Sequence, residues 1–409
     1  MSITLTDARR LDEQDPLKAF RERFVPPGDD GIVAYLDGNS LGRPPKATLR
    51  RLESLVRDEW GTRLIRCWDE QWMTLPERIG DQLGEVALGA APGQVIVADS
   101  TSVCLYKLLR AAVAMRPGRG EIITDRHNFP TDRHIVQGVA SELGLTVRWL
   151  EGNPDGGVTA RELAAALSGQ TAVVTLSHVA YRSAYLADMA ALTALAHEQG
   201  ALVVWDLCHS VGAVPVCLDA SGADFAAGCT YKYLNAGPGA PAFLYVREDH
   251  QDAFRQPVQG WMGSAEPFAM DQPYRPASGV RRALSGTPPV TGMAALEEGV
   301  RLVAEAGIGR IRAKGMALTE MAAEIAEDWL VPLGMRIASP RDPKQRGSHV
   351  TLARADAGEL SRRLIGAGVI IDFRPPDGIR IGLSPLSTGY AELWQAMAVM
   401  RDAAAAGGR

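Results

Sequence analysis

The sequence predicts an α/β protein, with a large domain on a mainly parallel seven-stranded sheet sandwiched by helices and a smaller C-terminal α/β domain. Three observations carry this. Seven short apolar runs stand between residues 95 and 246, helix-length amphipathic stretches separate most of them, and 409 residues exceed one ordinary core. Strands alternating with helices need crossover connections, and these produce a parallel sheet covered on both faces.

Residues 1–41 read as an N-terminal arm packed on one of the domains, and residues 42–289 as the large domain. Its strands are expected at Val95–Ala98, Glu121–Thr124, Thr146–Trp149, Thr171–Leu176, Ala201–Trp205, Phe225–Cys229 and Ala242–Val246. Helices are expected at Ser102–Met115, Thr131–Leu143, Thr159–Leu167 and Asp188–Gln199, each starting near a Ser, Thr or Asp suited to N-capping. The Pro- and Gly-rich stretch Gln256–Pro289 reads as loops. Residues 290–409 form the small domain, entered by one long helical pattern from Val290 to about Leu330. A βαβ-like unit follows, with strands near Met335–Ala338, His349–Leu352 and Val369–Phe373, then a last helix after Thr388 and a frayed tail from Ala403.

Composition narrows the function. A net charge of −5 without clustered Lys and Arg argues against nucleic-acid and membrane-surface roles. Five cysteines are an odd number without paired spacing, unlike a disulfide framework or a zinc site, and no metal is expected. The charged start MSITLTDARRLDEQDP lacks the apolar core of a secretory signal, and no run of about 18 apolar residues occurs. The expectation is a cytoplasmic α/β protein.

The chemistry concentrates after two strands. Ala201–Trp205 runs into Asp206 with His209 just beyond, and Phe225–Cys229 runs into Thr230, Tyr231 and Lys232 before a Gly/Pro loop. Ligands of open parallel sheets bind at the carboxyl ends of strands, where Asp206 and Lys232 both fall. A carboxylate keeps a pyridine nitrogen protonated and a lysine forms an imine with an aldehyde, which are the two main protein contributions to pyridoxal 5'-phosphate (PLP) chemistry. Alone, an Asp at a strand end is as readily a turn residue. Of the six lysines, however, only Lys232 lies just past an apolar strand of this sheet. Asp99-Ser100-Thr101-Ser102 follows a strand and opens a helix, offering N–H groups and hydroxyls to a phosphate, or simply an N-cap. Tyr231 and Thr287 could add hydroxyls to the same phosphate.

At these residues the sequence resembles the kynureninase family, PLP enzymes of the aspartate-aminotransferase-like fold (PLP-transferase fold type I, related to class V aminotransferases). The resemblance runs through YLDGNSLGRPP (Tyr35–Pro45), LIRCW (Leu64–Trp68), NFPTD (Asn128–Asp132), WDLCHSVGAVPV (Trp205–Val216) and CTYKYLNAGPG (Cys229–Gly239). It continues in QGWMG (Gln259–Gly263), RGSHV (Arg346–Val350) and GIRIGLSPL (Gly378–Leu386). It implies a PLP-dependent hydrolase that cleaves the Cβ–Cγ bond of L-kynurenine to anthranilate and L-alanine, in tryptophan catabolism and the kynurenine route toward NAD. Lys232 would hold the cofactor, Asp206 would bond its pyridine nitrogen, and Tyr231 would be a proton donor. Thr101, Ser102, Tyr231, Trp261 and Thr287 would contact the phosphate, with Trp261 and Thr287 reaching over from the second subunit of a homodimer with shared sites. Phe129 would stack on the ring, with Asp132, Ser177 and His209 at its edge. Arg380 would pair with the substrate α-carboxylate, and Trp68, Asn39, Ser40 and Ser264 would lie toward the substrate side chain.

Two positions depart from the pattern. The family loop usually reads GW-aromatic-GH, whereas here it is GWMGS, so Ser264 stands where relatives carry histidine. Ser387 stands where bacterial relatives tend to carry tyrosine. A kynureninase-like enzyme for a modified kynurenine or another γ-keto amino acid therefore stays open. An aminotransferase uses the same Lys and Asp and also stays open. A desulfurase of the same fold is disfavoured, because the last cysteine is Cys229, on a strand.

Overall fold

The apolar runs between residues 95 and 246 become one sheet because their side chains can be buried on both faces. The computed structural model describes residues 3–28, 31–270 and 273–406. In spatial order the seven strands are Val95–Ala98, Ala242–Val246, Phe225–Gly228, Leu202–Asp206, Thr171–Ser177, Glu121–Asp125 and Thr146–Leu150. Only Ala242–Val246 runs antiparallel to its neighbours, and the other pairings are parallel. Every residue of Leu202–Asp206 is buried, the terminal Asp included. Apolar clusters fill both faces. One contains Val203, Trp205 and Phe243, the other Leu202, Val204 and Leu244.

The expected strands match to within a residue at most ends, and the helices form at Thr101–Ala114, Pro130–Leu143, Ala160–Ala166 and Met189–Glu198. Their caps explain where they start and stop. Thr159 and Glu162 form a reciprocal capping box, Asp188 accepts from Ala191 N at 3.0 Å, and Gly144 closes its helix at φ 66°.

Four expectations are corrected. The long helical pattern after Val290 is two helices, Val290–Ala306 and Ile308–Trp329, parted by Gly307 at φ 78°. A left-handed glycine is a favoured helix stop, so the apolar periodicity continues across a break in the backbone. The C-terminal sheet is not βαβ-like: Asp372–Arg374, Gly378–Gly382, His349–Ala353 and Arg336–Ile337 lie in that order, all antiparallel. The predicted strand Val369–Phe373 is in fact two. Val369–Ile370 pairs in parallel with Ala34–Tyr35 of the N-terminal arm, and only Asp372–Arg374 joins the antiparallel sheet. Finally, the last helix, Tyr390–Ala406, takes in most of the expected frayed tail, whose final residues 407–409 lie outside the described residues.

The arm belongs with the C-terminal core, where Ala8, Ala34 and Leu36 pack among Leu318, Val350, Ile379 and Leu393. Helix Val290–Ala306 instead packs on the large sheet, through Met293, Leu296 and Val300. Beyond its strand the arm crosses the C-terminal sheet, with Gly382 N donating to Leu36 O at 2.7 Å. A Cβ at Gly382 would fall 1.8 Å from Asn39 Oδ1, so glycine is what lets the arm lie against this strand. No helix among the described residues is long and apolar enough to cross a membrane.

Candidate active site

Register brings the first acid into place. Ser177 and Asp206 end neighbouring parallel strands and are register partners, so both emerge at the carboxyl edge. Asp206 is buried; its Oδ1 accepts from Cys208 N at 2.8 Å. The Ser177 hydroxyl lies 2.8 Å from Asp206 Oδ2 and 2.7 Å from Asn128 Oδ1. One strand further along, the chain leaves Phe225–Gly228 and turns to present Lys232, also buried.

Lys232 and Asp206 face one cavity of about 80 Å³ without forming an ion pair with each other. Thr101, Ser102, Phe129, Asp132, His209 and Tyr231 line the same cavity. Lys232 Nζ stands 3.3 Å from His209 Nε2 and 5.8 Å from the ring centres of both Phe129 and Tyr231. Eight of the residues expected at a cofactor are thus brought together, and Ser177 adjoins them through Asp206.

A wider cavity of about 440 Å³ shares Thr101 and Tyr231 with the first. Asp99 and Ser100 form one wall, and Leu284–Pro289, with Thr287, the other. Ser100 occupies the N-cap of helix Thr101–Ala114, yet its hydroxyl makes no capping hydrogen bond. The first intrahelical bond is Cys104 N to Ser100 O at 2.9 Å, so the N–H groups before it have no helical partner. Unlike the self-capped helices at Thr159 and Asp188, this end is left open toward a cavity.

The electrostatics separate the groups. Burial, then the charges of Lys232 and Arg380, push the His209 imidazole well below its usual range, leaving a neutral ring whose Nε2 faces both side chains. Burial and then the Asp206 charge push the Asp132 carboxyl well above the usual carboxylate range. Burial raises the Tyr231 phenol, so it keeps its proton at neutral pH. Cys208, on the cavity wall, has its thiol raised by the Cys229 contact and by burial.

Arg380 lies behind His209, in strand Gly378–Gly382, and is almost completely buried. Its Nη1 donates to Tyr181 O at 2.8 Å and lies 3.4 Å from His209 Nε2. Its Nη2 donates to Ser40 Oγ at 2.9 Å and pairs with Asp372. With its amide turned so that oxygen faces the guanidinium, Asn39 accepts from Arg380 Nε at 3.1 Å. All five N–H groups therefore have protein partners.

The rest of the expected site lies elsewhere in the single chain. Trp68 packs edge-on against Trp72 at 5.4 Å and lines neither cavity. Trp261 is 38% exposed and meets Phe268 edge-on, with Ser264 in the same turn. Thr287, which the resemblance had crossing from a partner, lines the wider cavity in its own chain. Sequence reasoning missed Asp372, Tyr181 and Cys208. Only Cys208 carried a signal, standing two residues past Asp206.

Comparison with known proteins agrees with this geometry. A kynureninase from Pseudomonas fluorescens is 42% identical over 98% of this chain and 95% of its own length. One from Burkholderia pseudomallei (strain 1106a) is 41% identical with the same coverage. The chain belongs to the kynureninase family. The family model "Kynureninase C-terminal domain" matches residues 311–400, and the "DegT/DnrJ/EryC1/StrS aminotransferase family" matches residues 64–215. Among solved structures, the fold is that of the cysteine desulfurase from Thermococcus onnurineus NA1 (TM-score 0.80, 21% identity, 94% of this chain and 97% of that one). A C-DES mutant with glycine covalently linked to its PLP cofactor also matches (TM-score 0.78, 18% identity, 93% and 99%). Asp206 ends one strand of the large sheet and Lys232 follows the end of the next, whereas Arg380 stands at the centre of strand Gly378–Gly382 in the C-terminal sheet.

Proposed function

We propose that the chain hydrolyses the Cβ–Cγ bond of L-kynurenine to anthranilate and L-alanine, with pyridoxal 5'-phosphate bound at Lys232. The observation that carries this is a buried amine and a buried carboxylate facing one cavity with no ion pair between them, beside a helix start whose N-cap serine caps nothing. The residues fit that cofactor. Lys232 would take its aldehyde carbon, Asp206 its pyridine nitrogen, and Thr101, Ser102, Tyr231 and Thr287 its phosphate, with Trp261 from a partner. Phe129 would cover the ring, while Asp132, Ser177 and His209 border it. Asp132 Oδ2 is a buried oxygen without a partner, which suits an edge contact still to be made.

When bound, the cofactor supplies an aldehyde for the substrate amine and a protonated ring that draws electrons from the α-carbon. The chain does the rest. Freed Lys232 Nζ takes the α-proton. Arg380 orients the α-carboxylate by exchanging some of its present partners for it. Water adds to the γ-carbonyl, and Tyr231 Oη, kept protonated by burial, gives its proton to the β-carbon when the bond breaks. Trp68 and Ser264 are assigned to the aryl side, while Asn39 and Ser40, expected there as well, hold the Arg380 guanidinium instead.

The working unit is a homodimer in the cytoplasm. Leu64, Ile65, Trp60, Phe268 and Met270 are each more than half exposed, a quantity of apolar surface suited to a second copy. A sulfur-transfer reading lacks support, since Cys208 is held by Cys229 and its thiol is raised.

The test is incubation of the PLP-loaded protein with L-kynurenine and with 3-hydroxy-L-kynurenine, following alanine and the aromatic acid. Matched release of anthranilate and alanine is expected. A protein with an intact cofactor spectrum that cleaves neither would redirect the assignment to a modified kynurenine, the reading Ser264 would then favour.

A further inference from the structure

An open helix start holds an anion only if the turn leading into it is fixed. Here that turn is Asp99, a non-glycine residue at φ 46°. Left-handed backbone is costly for most side chains and tolerated best by Asn and Asp, so something must hold it. The Asp99 carbonyl accepts from Ala242 N at 2.9 Å. Its carboxylate accepts from Lys107 Nζ at 2.6 Å. Lys107 stands on the same helix as Thr101 and Ser102, and its side chain is 0% exposed.

The same ammonium donates to Ala283 O at 2.8 Å. Ala283 immediately precedes Leu284–Pro289, the far wall of the wider cavity. One buried cation therefore ties together both walls, the Asp99–Ser102 turn and the segment carrying Thr287, while lining the cavity itself nowhere. Burying an ammonium is unfavourable unless its hydrogen bonds are met, and here one partner, Asp99, lies in a cavity wall while the other, Ala283, is a core residue one position before the second wall.

We propose that Lys107, acting through Asp99 and Ala283, is a positioning residue for the cofactor phosphate. It sets the spacing between the two walls and fixes the open N–H groups, and its positive charge stands behind them. It touches no part of the cofactor. The inference rests on the proposed cofactor reading, and the experiment keeps the two apart.

Lys107→Met keeps the length of the side chain and removes the charge; Asp99→Asn keeps a residue at ease in left-handed backbone and removes the partner. Each apoprotein is titrated with PLP and, separately, with pyridoxal, which has the aldehyde and ring but no phosphate. Loss of a charged hydrogen bond predicts that Lys107→Met weakens PLP about tenfold or more and pyridoxal by less than about threefold. The double variant should be no worse than Lys107→Met alone, because both substitutions break one contact. If Lys107→Met does not fold, Asp99→Asn is read for the same PLP-to-pyridoxal ratio. PLP binding unchanged in the variants, or PLP and pyridoxal weakened equally, overturns the proposal while leaving the cofactor assignment standing. Wild-type protein that binds neither compound overturns both.

Discussion

Tyr231 stands next to Lys232 in sequence and beside it on the cavity, and burial decides its protonation state. A phenol whose pKa is raised above the ordinary value of about 10 stays a donor throughout the neutral range. Tyr231→Phe should therefore lower kcat by about 100- to 10,000-fold, the usual share of a positioned proton donor, with the same loss at pH 6 and pH 9. Lys232 would still remove the α-proton, so deuterium from solvent should continue to enter the α-position of bound amino acid, which NMR of recovered alanine reads. A kcat within about threefold of wild type, where donor loss predicts at least a hundredfold fall, would remove Tyr231 from the proton path. Lys232 and Asp206 were legible because each ends an apolar run, and a strand end in a parallel sheet has a known address. The saturation of Arg380 was not. Its partners Ser40, Tyr181, His209 and Asp372 come from four separate segments, and no local spacing announces that they converge.

Elements are held at the opposite edge of the large sheet by one carboxylate. Asp224, just before strand Phe225–Gly228, accepts from Val203 N at 2.8 Å and meets His197 Nε2 at 2.8 Å and His250 Nε2 at 2.7 Å. It thereby joins two strands to the end of helix Met189–Glu198 and to the short helix Glu248–Gln251. Burial alone would raise this carboxyl, but the hydrogen bonds from His197, His250 and the backbone hold it at about 2. A depressed folded pKa adds stability above the unfolded value near 3.8 and loses it as pH falls toward 2. The contribution is on the order of 2 kcal/mol at neutral pH. Asp224→Asn should then melt lower than wild type at pH 7, and the gap should narrow between pH 4 and pH 2. A gap independent of pH would mean that the ionised form adds nothing. At this scale the large-domain strands were readable from continuous apolar runs. Strand Gly378–Gly382 was not, because glycine at both ends and arginine at its centre disguise it. The stop at Gly307 was hidden for a related reason: the apolar stripe resumes one residue later, and periodicity does not register a single left-handed residue.

For the whole molecule, the apolar patterning was enough to place a core in each domain but not to say which elements complete the site. The arm at residues 34–40 reaches Arg380 by pairing with strand Val369–Ile370, so the surroundings of Arg380 are complete within one chain. Trp68 and Ser264, proposed for the aryl side, and Trp261, proposed for a partner's phosphate, line neither cavity of their own chain. Meanwhile Ile65 is 75% exposed and Leu64 57%, three and four residues before Trp68, and Trp261 and Phe268 lie bare on another loop. Apolar side chains left in water beside site residues that lack a cavity are economically explained by one event, docking of a second copy that covers the first and completes the second. A charge at Ile65 would be buried unpaired in such an interface and left harmless on a monomer surface. Wild-type protein should therefore sediment as a dimer and Ile65→Asp as a monomer, with a raised KM for kynurenine and a thermal stability of the monomeric fold nearly unchanged. Dimers that persist with unaltered KM would place the interface elsewhere and require the aryl pocket to be completed within one chain.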